Sequence, residues 1–231
     1  MKKTLKAAFP VTLPILTGYI FLGTAYGLLM TESGFGALFT VSTSLFIFTG
    51  SLQFVGVSFF TSPFNPLNVL LMSLMIDARH IFYGVAMIDK LKDVKKEKPV
   101  IIFTLSDETF SVLCNQNPPD GIKKGPFMLA IGVLDYLYWT IGTALGAVFG
   151  RFITFNTDGI EFSLTALFVV IFVNQWKESR DRIPAIIGLA CSALSLVVFG
   201  ADNFIVPSMI LIVISLLVYR KPFERRLAAN D

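Results

Sequence analysis

Long apolar runs cover nearly the whole chain, and they constrain its fold more than any other feature. They are Phe9–Met30, Phe35–Phe60, Phe64–Ile88, Val100–Asn115, Pro126–Phe149, Phe162–Trp176, Ile183–Phe199 and Phe204–Tyr219. A transmembrane helix needs roughly 20 mainly apolar residues. Charged residues make up 15% of the chain, against about 25% in soluble domains. The runs therefore predict an all-α, polytopic membrane helical bundle. No stretch is left over for a soluble domain, so residues 1–231 read as one integral membrane domain ending in a basic tail, 220–231. The 23 Phe residues suit lipid-facing and helix-packing surfaces.

The placement of charge orders the runs. Net charge is only +3, which gives no reason to expect a nucleic-acid partner. The bases cluster at Lys2, Lys3 and Lys6, in the loop from Lys90 to Lys98, and at Lys123-Lys124. Further bases are Lys177, Arg180 and Arg182, and Arg220, Lys221, Arg225 and Arg226. The positive-inside rule puts all of these in the cytoplasm, both termini included. Glu32, Asp158 with Glu161, and Asp202 mark the outer side. Two runs separate Glu32 outside from Lys90 inside, and one run separates Lys98 from Lys123, both inside. The parity is met if runs 35–60 and 100–115 enter the membrane and return, as re-entrant or broken segments. About six full spans then remain. The basic start before Phe9–Met30 resembles a signal peptide, but the run is long and no Ala-x-Ala site follows, so an uncleaved first span is expected.

The two returning segments are also the polar ones. Segment 35–60 holds Ser42, Thr43, Ser44, Thr49, Gly50, Ser51 and Gln53. Segment 100–115 holds Thr104, Ser106, Asp107, Glu108, Thr109 and Ser111. Irregular backbone at membrane depth survives only where protein or a wet cavity covers it. Each segment precedes a run with an acid and, seven residues on, a glycine: Asp77 and Gly84, then Asp135 and Gly142. The two pairs start from opposite sides, an order that admits an inverted repeat of the kind secondary transporters use.

Three constellations carry the chemistry. Asp77, Arg79 and His80, the only histidine, lie inside an apolar run, where each charge costs roughly 2.5–3.5 kcal/mol near the helix centre. On one helix Asp77, His80 and Gly84 share a face, and Arg79 and Tyr83 share the neighbouring one. Arg79 then needs a partner elsewhere, with Asp107 and Glu108 as candidates. It could equally hold two spans together as a static pair or snorkel to the interface. Adjacent Asp107 and Glu108 suit proton coupling or an ammonium group, or simply cap a helix. Thr49-Gly50-Ser51-Leu52-Gln53 suits either close packing or a broken helix offering its amides to a carboxylate. Cys114 and Cys191 stand alone in separate runs, with no disulfide framework or zinc pattern.

At these residues the chain resembles the AzlC family of bacterial branched-chain amino-acid exporters. The resemblance runs from about Pro10 to Phe172. It rests on Gly18-Tyr19 with Gly23 and Gly27, Gly50-Ser51-Leu52-Gln53-Phe54, Arg79-His80-Ile81-Phe82-Tyr83-Gly84 and Leu105-Ser106-Asp107-Glu108. Trp139 with Gly142 and Gly146, and Glu161-Phe162-Ser163-Leu164-Thr165-Ala166-Leu167-Phe168, complete it. The family pattern has Asn-Leu before Arg-His and Thr before Asp-Glu, where this chain has Asp77-Ala78 and Ser106. The resemblance implies a multi-pass plasma-membrane exporter of leucine, isoleucine, valine and related compounds. It also implies a small hydrophobic AzlD-type partner and use of the proton gradient.

The expected function is secondary transport of a zwitterion, with no cofactor, no metal and no enzymatic step. Gly50, Ser51 and Gln53, helped by Arg79, would meet the carboxylate. Asp107 or Glu108 would meet the ammonium, with Asp77 and His80 on the same substrate or proton pathway. No Gly-x-x-x-x-Gly-Lys-Ser/Thr motif supplies ATP hydrolysis. A channel using the same polar residues is the alternative. An intramembrane hydrolase built on Ser51 and His80 lacks the Gly-x-Ser-x-Gly elbow.

Overall fold

The computed structural model describes residues 2–152, 169, 172, 173, 176, 177, 182–201 and 204–228, without the side chains of 75, 205, 206 and 220–228. Beyond its positions Val169, Phe172, Val173 and Trp176, the expected span Phe162–Trp176 lies outside the described residues. So do Asp158, Glu161, Asp202, Arg180 and the segment Glu161–Phe168.

Every regular element among the described residues is a helix. In chain order they are α1 (Lys2–Glu32), α2 (Ala37–Phe46), α3 (Gly50–Thr61), α4 (Pro66–Asp77), α5 (Arg79–Met87), α6 (Lys98–Phe103), α7 (Asp107–Asn115) and α8 (Lys124–Phe149). Two more follow, α9 (Ile183–Phe199) and α10 (Ile205–Ala228). The chain forms two compact units. One comprises Met1–Ser73 and Arg79–Leu167, the other Leu74–Ala78 and Phe168–Asp231.

In the first unit α1 and α8 form the spine. Among the described residues they are the two single helices long and apolar enough to cross a membrane. Lipid tails are as apolar as leucine, so membrane helices associate through close packing of small residues. Here the small residues are Gly23 and Gly27 on α1, and Gly142 and Gly146 on α8. A Cβ on Gly23 would lie 2.7 Å from the Trp139 carbonyl oxygen, and one on Gly27 would lie 2.3 Å from that of Thr143. On α8, a Cβ at Gly142 would come within 2.8 Å of the Tyr19 and Ile20 oxygens, and one at Gly146 within 2.0 Å of that of Thr24. The contacts climb both helices together, so α1 and α8 run in the same direction. The count of crossings from charge requires that relation of these two runs.

Both polar segments are broken where their polar residues cluster. Between α2 and α3, Ile47 leaves the helical region at φ/ψ of −120°/80° and Thr49 is extended at −150°/105°. Between α6 and α7 the chain passes through Thr104, Leu105 and Ser106, and Ser106 is extended at −111°/179°. Each break is held against α8. Ser44 meets the Thr143 hydroxyl at 2.8 Å. Thr104 lies so close over Gly132 that a Cβ there would sit 2.2 Å from its Oγ1.

A third break differs from the sequence expectation. The stretch around Asp77 is not one helix: α4 ends at Asp77, Ala78 is a turn, and α5 starts at Arg79. Pro66–Leu74 and Arg79–Met87 together satisfy the length of one span but are bent by 44°. A uniform helix would place Arg79 by its 3.6-residue period alone. The interruption lets the guanidinium reach partners on two other helices, and those bonds offset the lost backbone ones. The shared face of Asp77, His80 and Gly84 expected of one continuous helix is therefore interrupted.

In the second unit α9 turns into α10 after Gly200, whose φ of +75° is the left-handed conformation that glycine adopts freely. Cys191 Sγ lies 3.6 Å from Ser215 Oγ across this hairpin.

Candidate functional site

The second halves of both broken helices begin beside Arg79. Arg79 Nη2 donates to Ser51 Oγ in the first turn of α3. Its Nη1 lies 3.2 Å from Asp107 Oδ2 in the first turn of α7. Tyr83, one helical turn after Arg79, donates to Asp107 Oδ1 at 2.6 Å. The i, i+4 spacing of Arg79 and Tyr83 thus brings both side chains to one carboxylate. Of the two candidate partners for Arg79, Asp107 forms the ion pair. The Arg79 and Asp107 side chains are 26% and 17% exposed, so the pair is not sealed off. Tyr83 also stacks on Phe110 at 4.5 Å, fixing α5 on α7.

The α7 start is a formed helix cap. Ser106 Oγ accepts from the Thr109 amide at 3.1 Å, and Asp107 and Glu108 occupy the first turn, where the helix dipole favours acids. The two carboxylates also accept bonds from other helices. Glu108 Oε2 accepts from the Tyr19 hydroxyl of α1 at 2.6 Å, and Tyr19 Oη lies 2.6 Å from Ser106 Oγ. Ser106 Oγ donates to Thr109 Oγ1 at 2.9 Å. Thr109 donates in turn to Asp135 Oδ2 of α8 at 2.8 Å. Asp135 is fully buried.

The α3 start is held from α8. Gln53, 2% exposed, accepts from Trp139 Nε1 at 2.5 Å and donates to Ser44 Oγ at 2.9 Å. The Trp139 ring lies over Gly50, where a Cβ would come within 2.8 Å of Cη2. Gly50 is therefore required by the ring. Tyr19 packs edge-on against Trp139, with ring centroids 5.4 Å apart, and so joins the α3 network to the α7 network.

Six of the expected site residues thus gather in one cluster: Gly50, Ser51, Gln53, Arg79, Asp107 and Glu108. His80 borders it, with its ring centroid 5.4 Å from that of Tyr83. Asp77 closes α4 and belongs to the other compact unit. Tyr19, Ser44, Tyr83, Thr109, Asp135 and Trp139 join the cluster in addition to the expected site residues. Asp135 had an available signal, since it is the only charged residue of its run and an intramembrane acid is a site candidate by default.

Comparison with known proteins places this arrangement. Residues 14–153 match the family model described as AzlC protein. The chain is 44% identical over 220 residues to the branched-chain amino acid transport protein AzlC of Bacillus subtilis (strain 168), covering 95% of this chain and 87% of that one. It is 38% identical over 206 residues to an uncharacterized membrane protein of Haemophilus influenzae, covering 89% and 84%. With the inner membrane protein YgaZ of Escherichia coli (strain K12) it shares 26% identity over 203 residues, covering 87% and 82%. No solved structure matches. The family match runs from Pro14 within α1 through α8 and takes in every residue of the cluster, and the chain belongs to the AzlC family, a family of membrane transport proteins and not of enzymes.

Proposed function

We propose that this chain exports branched-chain amino acids or related small zwitterions across the plasma membrane. It draws on the proton gradient and works as one transport domain with a small AzlD-type membrane partner. The observation that carries this reading is the convergence of two half-helix starts on one guanidinium beside buried acids. A helix start carries about half a positive charge in its free amides. The starts of α3 and α7 and the Arg79 guanidinium together suit a substrate carboxylate, which competes with Asp107 for Arg79. Glu108 suits the ammonium group. Asp77 and His80 are assigned to the same pathway. The name of the Bacillus subtilis relative, a branched-chain amino acid transport protein, supports the substrate class.

The test is efflux of labelled leucine from cells preloaded with it, with and without the co-expressed partner. Export against a gradient is expected only with the partner present. A passive pore would give equilibration alone, and full export from the lone chain in proteoliposomes would remove the partner from the reading.

Six spans with two returning segments, arranged as an inverted repeat, complete the proposal. The clustering of Lys and Arg in alternate loops supports this topology. After replacement of Cys114, which is exposed, and Cys191, single cysteines are introduced for labelling of intact cells. Impermeant reagent is expected to reach positions near Glu32 and Asp202. It is expected to fail at Lys95 and in the tail after Tyr219. Labelling at Lys95 from outside would break the six-span arrangement.

A further inference from the structure

Asp135 has no role in the pathway described above, yet it is a fully buried acid. Its Oδ2 accepts from Thr109, and its Oδ1 is buried without a hydrogen-bond partner. Among the described residues no cation pairs with it; the ion pair there is Arg79 with Asp107. A lone buried carboxylate is costly as an anion, and a bound proton removes that cost.

The hydrogen-bond count points to where the proton sits. Glu108 and Asp135 are joined through Tyr19, Ser106 and Thr109 by four oxygen–oxygen links of 2.6, 2.6, 2.9 and 2.8 Å. Each link needs one proton between its oxygens, and the three hydroxyls supply three. With both carboxyls ionised, Tyr19 donates outward to Glu108, while Ser106 donates to Thr109 and Thr109 to Asp135. That leaves the 2.6 Å Tyr19–Ser106 link with no proton between two lone pairs. One carboxyl proton closes the chain from either end. In one arrangement Glu108 donates to Tyr19, Tyr19 to Ser106, Ser106 to Thr109 and Thr109 to ionised Asp135. In the other every donor is reversed, and Asp135 holds the proton.

We propose that Glu108 and Asp135 share a single proton through the hydroxyls of Tyr19, Ser106 and Thr109, and that Asp135 is the inner proton-binding site of the transport cycle. In the transfer the Glu108 O–H bond breaks and its proton joins Tyr19 Oη. The Tyr19 proton passes to Ser106, the Ser106 proton to Thr109, and the Thr109 proton to Asp135 Oδ2. One proton is lost by Glu108 and one gained by Asp135, and each hydroxyl is neutral before and after. Among the described residues, the titratable groups facing this chain are Tyr19 from α1 and Asp107 and Glu108 from α7. Asp107 is already held by Arg79 and Tyr83. The role in the cycle rests on the reading of the chain as a proton-driven exporter; the shared proton does not.

Infrared difference spectroscopy on the purified full chain with its partner, across a pH titration, tests the shared proton without any substrate. The expected result is the C=O stretch of one protonated carboxyl, sensitive to deuteration. It should be absent in both Asp135→Asn and Glu108→Gln, since either amide donates the missing proton and leaves the other acid ionised. No such band in the wild type, or a band that survives either substitution, would overturn the shared proton. Thr109→Val cuts the chain with both acids in place and serves if an acid variant fails to fold. Its efflux response to an imposed pH gradient is expected to fall about 100-fold, the scale of a lost positioned proton-transfer group. A wild-type response would overturn the role of Asp135 in the cycle. Failure of the wild type to export leucine would instead strike the functional reading, with the infrared result intact.

Discussion

Arg79→Gln is expected to lower leucine efflux by roughly tenfold or more while removing only part of the protein from the membrane. Breaking a fully buried ion pair costs about 3–5 kcal/mol, because the remaining charge is left without compensation. Here the cost is lower. Both side chains are partly exposed, and Tyr83 continues to donate to Asp107. The loss of transport has a separate origin. Arg79 is the cation that joins the starts of α3 and α7, so without it a substrate carboxylate meets only amides and hydroxyls. The double variant Arg79→Gln with Asp107→Asn separates the two roles. It leaves no unpaired charge, so its membrane level is expected to recover. Its total loss should be smaller than the two single losses combined, because coupled residues fail additivity. Efflux should still stay well below wild type. A static clamp behaves otherwise: the double variant would transport at the wild-type rate, and Arg79 would then be structural.

Much of this arrangement is legible in the residues. Hydroxyls and acids in otherwise apolar runs mark the breaks before Gly50 and Asp107, because free backbone groups at membrane depth need polar company. The parity of basic loops requires α1 and α8 to run in the same direction, and they do. The partner of Arg79 narrows to the acids of α7 because intramembrane charges are few. Other features have no local signature. The Tyr19 hydroxyl finds its carboxylate 89 positions along the chain, and an aromatic in an apolar run reads as packing. Trp139 reads likewise until its indole meets Gln53, 86 positions away. The break at Ala78 has no mark in the sequence, because helical periodicity describes a helix without saying where tertiary bonds outweigh it. Asp135, by contrast, is legible as the one charged residue in the run Pro126–Phe149.

The spine gives the largest expected effect on stability. Gly27→Ala and Gly146→Ala are each expected to destabilise the protein strongly, although propensity argues the reverse. In an exposed helix, alanine is about 1 kcal/mol better than glycine. At Gly27 the new Cβ would lie 2.3 Å from the Thr143 oxygen and 2.6 Å from the Ala147 nitrogen. At Gly146 it would lie 2.0 Å from the Thr24 oxygen. These are backbone atoms of a facing helix, so no rotamer change relieves the overlap. The helices must separate, and the Thr12–Tyr138 and Thr31–Ala147 bonds across the same seam lengthen with them. Overpacking costs typically about 1–3 kcal/mol and occasionally more; backbone on the receiving side places these variants at the upper end. At roughly 2–4 °C per kcal/mol for a chain of this size, each should melt about 6–12 °C below wild type in detergent. Gly84→Ala is the control, since a Cβ there meets nothing within 4 Å, and with only propensity acting it should melt at or slightly above the wild-type temperature. Gly84 lies in the Arg79–Gly84 stretch that carries part of the family resemblance, so the comparison separates a glycine kept for packing from one that packing does not need. Equal melting of Gly27→Ala and Gly84→Ala would mean that α1 and α8 do not meet through these glycines.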